Sequence, residues 1–146
     1  MKILAFDLGS NMAWATNVKC KLPIGSKKFD GIRTHRLGAT LKWLQAFDWA
    51  NLEAVVYETP FARGRDATRS LWGIAGLIEA TATNAGLPVV DVAVPTIKKF
   101  ATGHGFAAKS EMIIAANRMG YVGTNEHEAD ALCLLRYAET NLEKVL

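Results

Sequence analysis

Cysteine is almost missing from this chain. Cys20 and Cys133 are the only two in 146 residues. They form no CxxC spacing, so neither a disulfide framework nor a zinc cluster organises the fold. Long apolar runs are missing as well; none approaches the roughly 18 residues of a membrane span. The N-terminus runs straight into a strand-like segment, so no secretory leader is expected and a reducing cytoplasm is the expected setting. Repeats, linkers and low-complexity stretches are absent. Acids are slightly outnumbered, 14 against 17 Lys and Arg, for a net charge of +3. With a pI near 9.0, that balance suits an anionic partner without demanding one. Hydrophobic residues make up 50% and charged residues 21%, which excludes a disordered chain. The length is that of one domain, residues 1–146, around a single core.

The chain is organised around its opening stretch, KILAFDLGSNMAWAT. Residues 2–8 read as a first strand and 12–18 as a second, joined by a Gly-Ser-Asn turn. Residues 19–26 read as a loop and 27–37 as a polar edge strand. Leu41, Leu44 and Phe47 lie at helical spacing, so a helix is expected over 39–51. A short buried strand follows at 53–58. A long helix is expected from 66 or 67 to 85, a strand over 88–92, and one or two helical turns over 96–101. A helix over 109–119 stops at Gly120. The last helix runs to about residue 144, with Asn125 as N-cap and Glu128 completing a capping box. Hairpin strands followed by alternating strands and helices imply a mixed sheet covered on both faces. The ribonuclease H-like fold, five-stranded with helices on both sides, has this order.

Two strands end in acids. Alternation puts Asp7 in line with Ile3 and Ala5, and Glu58 in line with Ala54 and Val56. Both faces of the first strand are apolar, and an isolated charge buried there is costly. Asp7 would serve equally well as a loop-capping acid, and Glu58 could pair with Arg63 or Arg65. Two acids brought together would repel unless a cation sat between them. A third acidic segment is NEHEADALCLL. On a helix, His127 and Asp130 share a face, and Ala131, Leu134, Leu135 and Ala138 continue it as an apolar stripe. Glu126 and Glu128 fall elsewhere and favour the helix dipole. Asp7, Glu58, Asp130 and His127 offer mostly oxygen donors, which suit Mg²⁺ or Mn²⁺ better than zinc. Two such ions about 4 Å apart can activate water against a phosphodiester and stabilise the leaving oxygen.

Basic and aromatic residues accompany these acids. Phe61, Arg63 and Arg65 follow Glu58 directly, as stacking on a base and contacting phosphates would require. Lys98, Lys99 and Lys109 lie in a second basic segment. Its glycines precede a helix N-terminus but lack Walker A spacing.

In this order, FDLGSNMAWA, YETPF, VPTIKKFATGHGFAAKSEM and HEADALCLL resemble the RuvC family of Holliday junction resolvases, within the ribonuclease H-like superfamily. The resemblance covers most of the chain and implies a Mg²⁺-dependent endonuclease, with Mn²⁺ able to substitute. Such an enzyme resolves four-way junctions by paired symmetric nicks that leave 3′-hydroxyl and 5′-phosphate ends. It carries the metal positions onto Asp7, Glu58, His127 and Asp130, and the stacking aromatic onto Phe61. The family's functional lysines fall on Lys98 or Lys99 and on Lys109, which would stabilise phosphate charge or assist a proton transfer. Arg63 and Arg65 would help hold the branch point. The sequence departs from the family in a compact N-terminal half and in ETP where many members have EQ. Other readings are a ribonuclease H-like nuclease acting on flaps or RNA, and a non-catalytic branched-DNA binding module. The expected setting is a bacterial or phage-infected bacterial cytoplasm. The helix over 66–85 is apolar nearly all round, with Trp72, Gly73, Gly76, Leu77 and Ala80 off its core stripe. A two-fold dimer on that helix is expected.

Overall fold

The computed structural model describes residues 1–62, 64–144 and 146. Strands β1 (Ile3–Asp7), β2 (Asn11–Thr16) and β3 (Ile24–Lys28) form an antiparallel meander. Helix α1 (Arg33–Gln45) leads to β4 (Ala54–Glu58), which pairs parallel with β1. Helix α2 (Arg65–Asn84) leads to β5 (Val89–Val92), parallel to β4. Helices α3 (Val94–Thr102), α4 (Lys109–Arg118) and α5 (Glu126–Asn141) follow, the last with a 3₁₀ turn over Leu142–Lys144. The five-stranded sheet has the order β3-β2-β1-β4-β5, and the expected mixed sheet with helices on both faces is what forms.

Strand alternation divides the core in two. Ile3, Ala5, Ala13, Ala15, Ala54 and Val56 face α5, behind which lie α3 and α4. Leu4, Phe6, Met12, Val55 and Tyr57 face α1 and α2. The alanines on the first face leave room for α5 to lie close. Residues 131–135 of α5 are buried in succession, with the sheet on one side and the other helices behind.

Two elements depart furthest from the sequence reading. The third strand starts at Ile24, inside the expected loop, and ends at Lys28. Gly25 pairs with Trp14, and a Cβ there would stand 2.4 Å from the Trp14 ring. The glycine that suggested a loop is what the indole packs upon. Helix α1 begins at Arg33, within the expected edge strand, and stops at Gln45. Its first turns are polar in sequence, yet Arg36 bonds to Gly31 O and to Ser70 Oγ, and buried Thr40 bonds back to Arg36 O. These local bonds replace the apolar spacing that would have announced the helix.

Candidate functional site

The site forms where β1 and β4 end side by side. Phe6 is registered with Tyr57, so Asp7 and Glu58 are the next residues on two parallel neighbours, both on the α5 face. Asp7 is also paired with Ala13 of β2, and only 7% of its surface is exposed. Beyond Glu58 the chain is tied down: Thr59 N–H donates to Val92 O at 2.9 Å, and Thr59 Oγ1 to Asp91 Oδ2 at 2.7 Å.

Helix α5 brings the third acid. Asn125 caps it, its side-chain oxygen accepting from His127 N–H at 2.9 Å and Glu128 N–H at 3.2 Å. The expected capping box does not close. The Glu128 carboxylate instead accepts from Ser26 Oγ and Tyr121 Oη, both at 2.7 Å, tying α5 to β3 and to the segment after α4. So fixed, the first turn aims Asp130 at the strand ends. One carboxylate oxygen each from Asp7, Glu58 and Asp130 lie within 4.8 Å of one another. His127 stands against this set, its Nδ1 sharing a hydrogen bond with Asp7 Oδ2 at 2.8 Å.

The electrostatics follow from that crowding. Burial, and then the charge of Asp7, push the Asp130 carboxyl up to about 7. The hydrogen bond to Asp7 raises His127 above the usual imidazole value despite partial burial. Without a counter-cation, close carboxylates hold charge only at a cost and one retains its proton. Three hard oxygen donors converging with this repulsion fit a divalent cation of the magnesium or manganese type.

The cleft above the acids is lined by Asp7, Glu58, Asp130 and His127 together with Lys109, Glu126 and Phe61. Phe61 is 48% exposed at its rim. Lys109 Nζ lies 2.7 Å from Glu126 Oε1, and that bond holds the Glu126 carboxyl below its ordinary value. Glu126 therefore belongs to the cleft as well as to the helix terminus, a pairing that spacing along the sequence could not disclose. Lys98 lies on an adjoining hollow that shares Glu58, Lys109 and Asp130. Lys99 and Arg65 are exposed and line neither cavity. Arg63 falls outside the described residues.

No family model matches the sequence, and no curated protein matches it. Solved structures do. Thermus thermophilus RuvC superposes with a TM-score of 0.79 at 22% identity, covering 99% of this chain and 97% of that one. T. thermophilus RuvC in complex with Holliday junction substrate gives 0.78 at 23% identity, covering 99% and 96%. The fold is RuvC-like from end to end.

Proposed function

We propose that this protein is a metal-dependent, structure-selective endonuclease that cuts branched DNA, with the four-way junction as its principal substrate. The observation that carries the reading is the convergence of Asp7, Glu58 and Asp130 at one end of the sheet, within 4.8 Å of one another. An acidic cleft that must nonetheless admit a phosphodiester makes chemical sense with divalent cations in it. The Holliday junction bound to the T. thermophilus structure supports branched DNA as the substrate class.

Asp7, Glu58 and Asp130 would hold the metal, with Mg²⁺ the expected ion, and His127 would complete or orient the set through Asp7. When bound, the metal supplies charge neutralisation at the phosphodiester and activation of the attacking water. The remaining work falls to the chain's own side chains. Lys109, which rests on Glu126, would swing to a phosphate oxygen and stabilise charge developing there. Lys98 adds positive charge on the Asp130 side. Phe61, half exposed at the rim, stacks on a base at the branch point. Arg65, with Arg63, would contact flanking phosphates. A second copy, docked through α2, would supply the paired cut.

The test is a panel of four-way, three-way, flap and linear DNAs, incubated with Mg²⁺ and with EDTA. Paired symmetric nicks in the four-way junction, lost in EDTA, are the expected result. Equal cutting of linear duplex, or cutting that survives EDTA, would overturn the reading.

A further inference from the structure

A second cavity, of about 700 Å³, opens beside the acidic cleft. It runs between the β1–β2 turn and the first turns of α1 and α2. Leu8, Leu71 and His127 line both hollows, so the two adjoin. Besides His127, the polar side chains on its walls are Ser10, Asn11, Arg33, Arg36, Asp66 and Ser70. Neither arginine is paired with a carboxylate among the described residues. Arg36 is held by Gly31 O at 3.0 Å and Ser70 Oγ at 3.2 Å. Arg33 has no side-chain partner among the described residues although it is half-buried. Asp66, the only acid among the described residues that line the groove, is exposed and sits in the first turn of α2.

Helix α1 adds to this balance. Its N-cap, Ile32, provides no side-chain oxygen, and its first turn carries no acid. The first turn of a helix ordinarily attracts an acid or a capping oxygen to its unpaired N–H groups. Here it presents arginine instead. Among the described residues this half-buried guanidinium has no anionic partner, and it stands at a helix start without a side-chain cap, beside a site read as handling phosphodiesters.

We infer that this groove is a backbone track for the DNA strand leaving the scissile phosphate, with Arg33 contacting a phosphate one or a few nucleotides away. The inference rests on the nuclease reading and adds a direction to it. The strand enters past Phe61 and Lys109 and leaves over the β1–β2 turn toward α1. Arg36, already tied to α1 and α2, positions the wall, and Arg33 makes the contact. Ser10, Asn11 and Ser70 can accept or donate to sugar and phosphate oxygens. Phosphate contacts of this kind set register and carry no sequence information.

The test measures four-way junction binding in EDTA across a salt series, alongside cleavage in Mg²⁺. The proteins are wild type, Arg33→Gln, Arg33→Lys and, as a control on the same helix, Lys42→Gln. Arg33→Gln is expected to bind about ten- to a hundredfold more weakly, as loss of a charge-assisted hydrogen bond predicts. The slope of log affinity against log salt should flatten by about 0.7–0.9, one phosphate contact. Arg33→Lys should keep the slope, Lys42→Gln should match wild type, and melting temperatures should be unchanged. A neutral methylphosphonate, walked along the strand on either side of the cut, should weaken wild-type binding on one side and weaken Arg33→Gln no further there. If Arg33→Gln matches wild type in affinity and slope while wild type binds and cuts, the groove assignment is overturned and the nuclease reading stands. Equal losses in Arg33→Gln and Lys42→Gln would overturn it too. A wild-type protein that neither binds nor cuts the junction would instead overturn the nuclease reading.

Discussion

A carboxyl group pushed up to about 7 is unusual, and partly buried Asp130 carries one. Unfolded, it would titrate near 3.8. Between those values the folded metal-free protein binds a proton that the unfolded chain has released, so stability falls as pH rises through that window. His127 acts in the same direction. Its raised value means that the stabilising bond from imidazolium to Asp7 is complete below its unfolded value, 6.5, and is lost as pH rises through the folded one. Metal-free protein should therefore melt at progressively lower temperature from about pH 5 to pH 8. Asp130→Asn, which cannot ionise, should flatten that decline and raise the melting temperature at pH 8. At about 1.4 kcal/mol per pKa unit, the gain is at most about 4 kcal/mol. Added Mg²⁺ should restore stability to wild type and not to the variant. A melting temperature of the metal-free wild type that rises with pH would contradict this account. Two further substitutions separate chemistry from binding. Asp7→Asn should abolish cutting and leave junction binding intact, since it removes a carboxylate proposed to hold the metal and lowers the negative charge facing DNA; wild-type cutting rates would exclude the metal scheme. Phe61→Ala should weaken cleavage by about 1–3 kcal/mol of lost stacking, with 2-aminopurine fluorescence at the branch point reporting the change.

At the scale of elements, what was legible in the sequence followed the strength of the local pattern. Asp7 and Glu58 could be placed because strand alternation assigns a face to every residue, and both strands are apolar up to their last position. Asp130 could be placed because the stripe from Ala131 to Ala138 points one way. Register was not written in either strand. The meeting of Asp7 with Glu58 depends on Phe6 lying opposite Tyr57, which only the assembled sheet decides. Helix α1 was misplaced because polar residues that bond to backbone and to Ser70 do the work expected of apolar ones. Lys109 and Glu126 lie 17 residues apart, and no periodicity links them. The cap of α5 shows how an element's start controls the site. Asn125→Ala should cost about 1 kcal/mol of stability and lower the melting temperature modestly. It should lower cleavage more than stability alone accounts for, because His127 and Asp130 occupy the first two turns it anchors. Cleavage assayed well below the melting temperature checks this; unchanged rates there would mean that the sheet and Glu128 suffice to hold the helix start.

At the scale of the whole molecule, the proposed paired cut calls for two sites. A four-way junction is two-fold symmetric, and a two-fold dimer presents two identical clefts to it. Helix α2 is where we place the contact, on a narrower face than its sequence suggested. Ile74, Ala75, Ile78 and Ala82 are buried against the sheet. Gly73, expected to face a partner, instead lies under Leu37 of α1, where a Cβ would come within 3.0 Å, and Leu77 packs on the same core cluster. Trp72, 49% exposed, with Gly76 and Ala80 one and two turns on, is left facing outward. Gly76 has nothing within 4 Å of its would-be Cβ, so a partner helix could approach closely, with Trp72 as the anchor. Wild-type protein should therefore sediment as a dimer at micromolar concentration. Trp72→Glu should give a monomer whose melting curve is nearly unchanged, because the indole is exposed within one chain and contributes little to its core. That monomer should still nick junctions, one strand at a time, and lose the coincident second nick that a supercoiled cruciform plasmid reports as linear product. A wild-type monomer that still makes paired cuts would place the symmetry in the DNA alone and remove α2 from the mechanism.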